Sequence, residues 1–204
     1  LPQEINPDLP ALHENDPIAI TDLNGGQYAV HAQSRNRLIT PFSDNQGFAK
    51  WVVTHAYDLL YVLGEGRHYG EWWGQGINRG YDMDRKVFSV FNTAGWHKVP
   101  EGMTTSRADR RRSTSLDIDC IPVLDTITFS EDAIRDLAEE LMFTGSRASA
   151  QYTGKAFAKP EGVCIYHKAA DTVFKYTFDN HDQHKWMDAP APERTLIDRI
   201  LRRK

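Results

Sequence analysis

Residues 69 to 81 read Tyr69-Gly70-Glu71-Trp72-Trp73-Gly74-Gln75-Gly76-Ile77-Asn78-Arg79-Gly80-Tyr81, and the rest of the chain is organised around them. A strand-like run from Arg67 to Trp73 carries one carboxylate, Glu71, between glycine and two tryptophans. It then breaks into a glycine-rich turn that holds Gln75, Asn78 and Arg79. Glycine lets the backbone approach a ligand closely, and tryptophan offers flat apolar surface beside polar groups. A tryptophan-rich edge strand ending in a glycine loop is also an ordinary structural device, so the neighbouring segments decide its meaning.

Downstream, Lys86 to Asn92 predicts a second strand. Its alternation puts Val87, Ser89 and Phe91 on one face and Phe88 and Val90 on the other. Upstream, Asp44-Asn45-Gln46 resembles a helix start. Phe48, Trp51, Val52, His55, Leu59 and Leu60 then recur at helical spacing until Gly64, predicting one structural helix with His55 in its apolar stripe. Ile18 to Gln33 has β character on both sides of Asn24-Gly25-Gly26, a strong hairpin signal. Ser34-Arg35-Asn36-Arg37 brings two guanidinium groups onto the next loop or strand, and residues 1–16 read as a polar arm punctuated by proline.

In the second half, Arg107, Arg110, Arg111 and Arg112 form a basic run, read as a solvated loop or a local nucleic-acid patch. An apolar strand is expected from Leu116 to Leu124. Ser130 caps a helix over residues 131–143 whose Ile134, Leu137, Leu141 and Met142 face inward and which stops at Gly145. Residues 146–158 are small and polar, the composition of a mobile loop. Lys159 to His167 and Asp171 to Phe178 read as a hairpin closed near Ala169-Ala170, with Glu161 at its mouth and Lys175 inside its second strand. Pro190 and Pro192 form a hinge before a short amphipathic helix over residues 193–203. With no repeat or boundary evident, the expectation is a single α+β domain, residues 1–204.

The 204 residues are enough for one substantial core, and 40% hydrophobic with 25% charged is a globular composition. No apolar run reaches the roughly 18 residues that would span a membrane. Cys120 and Cys164 each sit in an apolar, strand-like run without metal-ligand spacing, which reads as buried, reduced thiols of a cytoplasmic protein. A net charge of −4 argues against a surface that attracts nucleic acid as a whole. Lys175 lies in an aromatic strand. A cation there either sits on the solvent face of an edge strand or is paired and used, because a buried unpaired charge costs several kcal/mol.

Taken together, these elements resemble a family. Thr21-Asp22 and its glycines, Arg37, Tyr69-Gly70-Glu71-Trp72-Trp73-Gly74, Val87 to Asn92, Glu161-Gly162-Val163 and Phe174-Lys175-Tyr176 have the order and approximate spacing of motifs I, Ia, III, IIIa, IV and V of the covalent nucleotidyltransferases. The chain is most similar to the nick-sealing branch of the ATP-dependent RNA ligases, over residues 18–187. The resemblance implies antiparallel sheets flanked by helices around a nucleotide cleft, the adenylation domain of DNA and RNA ligases. It also implies ATP and Mg²⁺ or Mn²⁺, and a three-step ligation. A lysine attacks the α-phosphate of ATP, the AMP passes to an RNA 5′-phosphate, and a 3′-hydroxyl displaces it.

Position by position, the resemblance implies that Glu71 accepts from the ribose hydroxyls and that Phe88 stacks on adenine with Val163 against its other side. Glu161 holds the divalent metal, Lys175 contacts the α-phosphate, and Arg37 contacts the ribose or the incoming phosphate. The motif V position two residues after Lys175 is Thr177 where the family has a second lysine. Motif I departs further, because Thr21-Asp22-Leu23-Asn24-Gly25 contains no lysine. A one-residue gap between Asp22 and Leu23 restores the pattern: Asp22 reads the adenine amino group, Leu23 is the variable position and Asn24 stands for the aspartate. The hypothesis is that a lysine belongs in that gap and is missing from the written sequence because it carries covalent AMP.

The chain ends too soon after Lys175 for an OB-fold. The expectation is therefore a minimal, monomeric catalytic domain that grips RNA ends or a nicked duplex with its own surface, through Arg79, Arg110, Arg111 and residues 146–155, away from any membrane. The alternative is a ligase-like RNA- or nucleotide-binding module without activity.

Overall fold

The structure is a computed structural model. It describes residues 18–21 (backbone only), 25–44, 46–99 and 103–178. The chain divides into two compact units, Leu1–Leu124 and Asp125–Lys204. The expected N-terminal arm, Asp22, Leu23 and Asn24, and the expected C-terminal helix lie outside the described residues.

In the first unit, β1 (Ile18–Thr21) pairs antiparallel with β2 (Gln27–Val30), Thr21 opposite Gln27, which is the hairpin expected around the glycines. The short strands β3 (Ala32–Gln33) and β4 (Leu38–Ile39) pair across a loop carrying Arg35 and Arg37. The expected single helix is two, α1 (Phe48–Thr54) and α2 (Ala56–Leu63), broken at His55 with φ −114° and ψ 20°. Gly47, the residue before α1, has no side chain to cap it. Asp44 serves instead, its carboxylate accepting from the backbone N–H groups of Ala49 and Gln46. Gly64 ends α2 with φ 76°, as its position suggested.

The central stretch forms β5 (Gly70–Gly74), followed by a 3₁₀ turn (Gly80–Asp82) and β6 (Lys86–Val90). After α3 (Thr93–Trp96) and α4 (Arg107–Arg112), β7 (Ile118–Cys120) completes a sheet of order β5-β6-β7. Pairing of β5 with β6 is antiparallel, but β6 and β7 are parallel, a departure from the all-antiparallel expectation. The strand expected over 116–124 shrinks to three residues, and Pro122 beyond it has no N–H to offer a ladder. The arginine run forms α4 instead of a loop, started by a capping box between Ser106 and Asp109. The core of this unit joins α1, α2, α4 and the sheet through Val52, Leu59, Val62, Val90, Trp96, Leu116 and Ile118, with Phe48, Trp51 and Trp72 packed on it.

The second unit holds α5 (Glu131–Thr144), α6 (Arg147–Thr153) and the hairpin β8 (Gly162–His167) with β9 (Thr172–Thr177). Ser130 caps α5 and Gly145 ends it, as expected. Met142 does not face inward: it is 56% exposed, while Ala138 and Leu141 are buried. Residues 146–158 are not an open loop. Ser146 caps α6, and buried Ser149 accepts from the N–H of Phe157 and donates to the carbonyl of Ser146, tying the helix to the following chain.

Candidate functional site

Directly opposite residues in a sheet share a face. The register puts Glu71 opposite Ser89 and Ser89 opposite Asp119, so these three polar side chains form one row across β5, β6 and β7. Trp73 lies on the same face, and its Nε1 donates to Ser89 Oγ at 2.9 Å; Tyr81 stands edge-on to it at 5.4 Å. That end of the face is closed, with Val87, Ser89 and Trp73 all buried. The other end is open. The N–H of Phe91 donates to the carbonyl of Tyr69 at 2.8 Å, extending the ladder by one pair. Tyr69 and Phe91 there are 67% and 49% exposed beside exposed Glu71.

The same register corrects the assignment of Phe88. It lies opposite Trp72, on the reverse face, and is 7% exposed. Its ring packs in an aromatic cluster with Phe48 at 5.1 Å and Trp51 at 6.1 Å. Gly70 lets it do so, since a Cβ there would sit 2.6 Å from the Phe88 ring. Phe88 therefore packs on the face opposite Glu71, and the aromatic side chains that share the face of Glu71 and remain open are Tyr69 and Phe91. Alternation had already separated Phe88 from Phe91; only the register tells which of them accompanies Glu71.

Arg37 sits exposed in the β3–β4 loop, its Nη2 donating to the carbonyl of Ser43 at 3.1 Å. Arg79 is half-buried at the start of the 3₁₀ turn. Arg110 and Arg111, expected at an RNA surface, donate inward instead. Arg110 is 3% exposed, with Nη2 on the carbonyl of Val62 at 3.0 Å and Nη1 on that of Thr105 at 2.8 Å. Arg111 donates from Nε to the carbonyl of Ile118 at 2.9 Å. Arg107 takes the carbonyls of Leu63 and Gly95, and His68 that of Gly64. Arg107, Arg110 and His68 thus close the carboxyl end of α2, whose last carbonyls lack helical partners and carry the negative end of the helix dipole. Burial holds the Arg110 guanidinium below its ordinary pKa and also lowers that of His68, with Arg107 nearby adding to the shift.

In the second unit, Lys175 lies opposite Cys164 on the exposed face of the hairpin, and both are exposed. Gly162, with φ 151°, precedes them in a backbone shape that a Cβ would drive into the Tyr176 carbonyl. At this bend the carboxylate of Glu161 approaches Lys175, Oε2 to Nζ 3.9 Å. Val163 points the other way and is 9% exposed, so the residue that shares the surface of Lys175 is Cys164. This also corrects the reading of Cys164 as a buried thiol; Cys120 is buried as expected.

A carboxylate beside an ammonium can hold a divalent ion on one side and a phosphate on the other. Among the described residues no three His, Cys, Asp or Glu side chains gather as a metal cage. The residues present fit Mg²⁺, which keeps several waters and binds through one or two carboxylates plus phosphate. No helix among the described residues is long and apolar enough to cross a membrane. No curated protein and no solved structure matches the chain. The model of the RNA ligase family matches residues 15–177, a span that includes both units' candidate residues, and the chain belongs to the RNA ligase family.

Proposed function

We propose that the chain is an ATP-dependent RNA ligase, with residues 1–204 serving as one catalytic domain. The observation that carries this reading is the approach of Glu161 to Lys175 on an open strand face, within a chain of the RNA ligase family. In the first step the neutral amine of a motif I lysine, a residue absent from Thr21-Asp22-Leu23-Asn24-Gly25 and required by this reading between Asp22 and Leu23, attacks the α-phosphorus of ATP. A nitrogen–phosphorus bond forms and pyrophosphate leaves. In the second, an oxygen of an RNA 5′-phosphate attacks the same phosphorus and the amine departs. In the third, a 3′-hydroxyl oxygen attacks the 5′-phosphorus, AMP leaves, and the strand is joined.

Lys175 places its ammonium against the α-phosphate, where charge develops in the transition state. Glu161 would hold Mg²⁺ through its carboxylate, and the ion would supply positive charge to the phosphate oxygens. Glu71 accepts from the ribose hydroxyls. Phe91, on the face of Glu71, replaces Phe88 as the ring for adenine, and Cys164, on the face of Lys175, replaces Val163 as a contact of the bound nucleotide. Arg37 meets the incoming 5′-phosphate, and Arg79 remains a proposed RNA contact.

The test is the intact mass of the protein incubated with ATP and Mg²⁺. The reading expects a gain of one AMP, abolished in Glu161→Ala and in Lys175→Ala. Normal adduct yield in Lys175→Ala would remove β9 from the mechanism. A second reading rests on the motif I segment as written, which has no lysine: a ligase-like binding module. It expects retained RNA binding with no adduct.

A further inference from the structure

Residues 40–43 form a tight turn built to hold its tip still. The N–H of Ser43 donates to the carbonyl of Thr40 at 3.0 Å, and the N–H of Thr40 donates back to Ser43 Oγ at 3.2 Å. Pro41 occupies the second turn position, where its fixed φ is already suitable. The residue this turn presents is Phe42, 78% exposed. The same turn anchors Arg37 through the carbonyl of Ser43 at 3.1 Å. The backbone of Arg37 is held in addition, its carbonyl accepting from both the N–H and the Oγ of Ser34 at 2.9 and 3.1 Å. That one bond to Ser43 engages one of the five N–H donors of the guanidinium.

An exposed phenyl ring alone is ordinary surface, but this one stands on a hydrogen-bonded turn whose Ser43 carbonyl also takes the Arg37 guanidinium. The pair has complementary chemistry for a single ligand. A nucleobase stacks on the ring whatever its sequence, and a terminal phosphate takes the fork of the arginine in two parallel hydrogen bonds. We propose that Phe42 and Arg37 form a subsite for the 5′-phosphorylated terminal nucleotide of RNA, the ring stacking on its base and the guanidinium binding its phosphate. The proposal rests on the ligase reading above, which already gives Arg37 the incoming phosphate. It adds Phe42 as the residue that recognises the end as a nucleotide and sets it in register.

The test is fluorescence anisotropy without ATP, using short single-stranded RNA labelled at its 3′ end and carrying either a 5′-phosphate or a 5′-hydroxyl. Phe42→Ala should weaken binding of the 5′-phosphorylated RNA about tenfold, while Phe42→Tyr, which keeps the ring, should stay within about twofold. Arg37→Ala should erase the preference of the wild type for the 5′-phosphate. The double variant should lose less than the product of the two single losses, because both side chains hold one nucleotide. Phe42→Ala binding like the wild type, or a wild type that binds 5′-hydroxyl RNA equally well, would overturn the proposal. Because no ATP is present, a failure of the ligase reading shows separately, as the missing AMP adduct.

Discussion

Cys164 faces solvent across from Lys175, whereas Cys120 is buried in the core of the first unit, where burial, with Asp119 adding to it, pushes its thiol up to about 11. Thiolate is the reactive form. Iodoacetamide at about pH 8 should therefore add once to the native protein, at Cys164, as read by peptide mass. Mg-ATP should slow that addition if the base lies on Cys164; equal rates with and without ATP would remove Cys164 from the nucleotide contact. Phe88 and Phe91 make a second contrast. Phe88→Ala empties part of a packed aromatic cluster and should cost about 3–5 kcal/mol in urea unfolding. Phe91→Ala removes a half-exposed ring and should leave stability nearly unchanged, while raising the KM for ATP in self-adenylation about five- to tenfold. The opposite pattern would restore Phe88 as the adenine ring. Sequence alternation separates these two phenylalanines cleanly. It does not say which one shares a face with Glu71, because that depends on the pairing of β5 with β6, and pairing is a property of two segments.

At the scale of elements, punctuated stretches were the legible ones. Glycines bound the β1–β2 hairpin, Ser130 and Gly145 bracket α5, and the β8–β9 hairpin sits where the alternating runs placed it. The arginine run was misleading because charge in a one-dimensional string looks solvated. Nothing in the string shows that the carboxyl end of α2 needs donors that only another helix can supply. Arg110→Met should leave the Val62 and Thr105 carbonyls unpaired and lower stability by about 2–4 kcal/mol, without changing the affinity of the folded protein for RNA. A loss of RNA affinity at unchanged stability would return Arg110 to the RNA surface. His68 belongs to the same device. Its folded-state pKa lies below 6.5, chiefly through burial, so the fold accommodates the neutral ring. The sign follows: stability is full above pH 6.5 and is lost as pH falls through the folded value. The urea midpoint of the wild type should drop between about pH 7.5 and pH 5, and His68→Gln should flatten that slope.

For the whole molecule, the order of motifs along the chain was readable because each is a short run of chemically distinctive residues, from Arg37 to Lys175. Which side chains share a surface was not, since a strand offers two faces and a buried cation is indistinguishable from an exposed one in the string. A chain of net charge −4 in which Arg107, Arg110 and Arg111 donate inward would, on the proposed reading, hold RNA by a few placed groups, Arg37 and Phe42 among them, instead of by a broad basic field. The central claim is that a lysine near the first hairpin turn carries AMP. The direct measurement is the mass of the peptide spanning residues 21–25, taken from protein incubated with ATP and Mg²⁺. The account predicts one additional lysine between Asp22 and Leu23 bearing one AMP. A peptide in which Asp22 is joined directly to Leu23, in protein whose intact mass shows no AMP at any position, would contradict it.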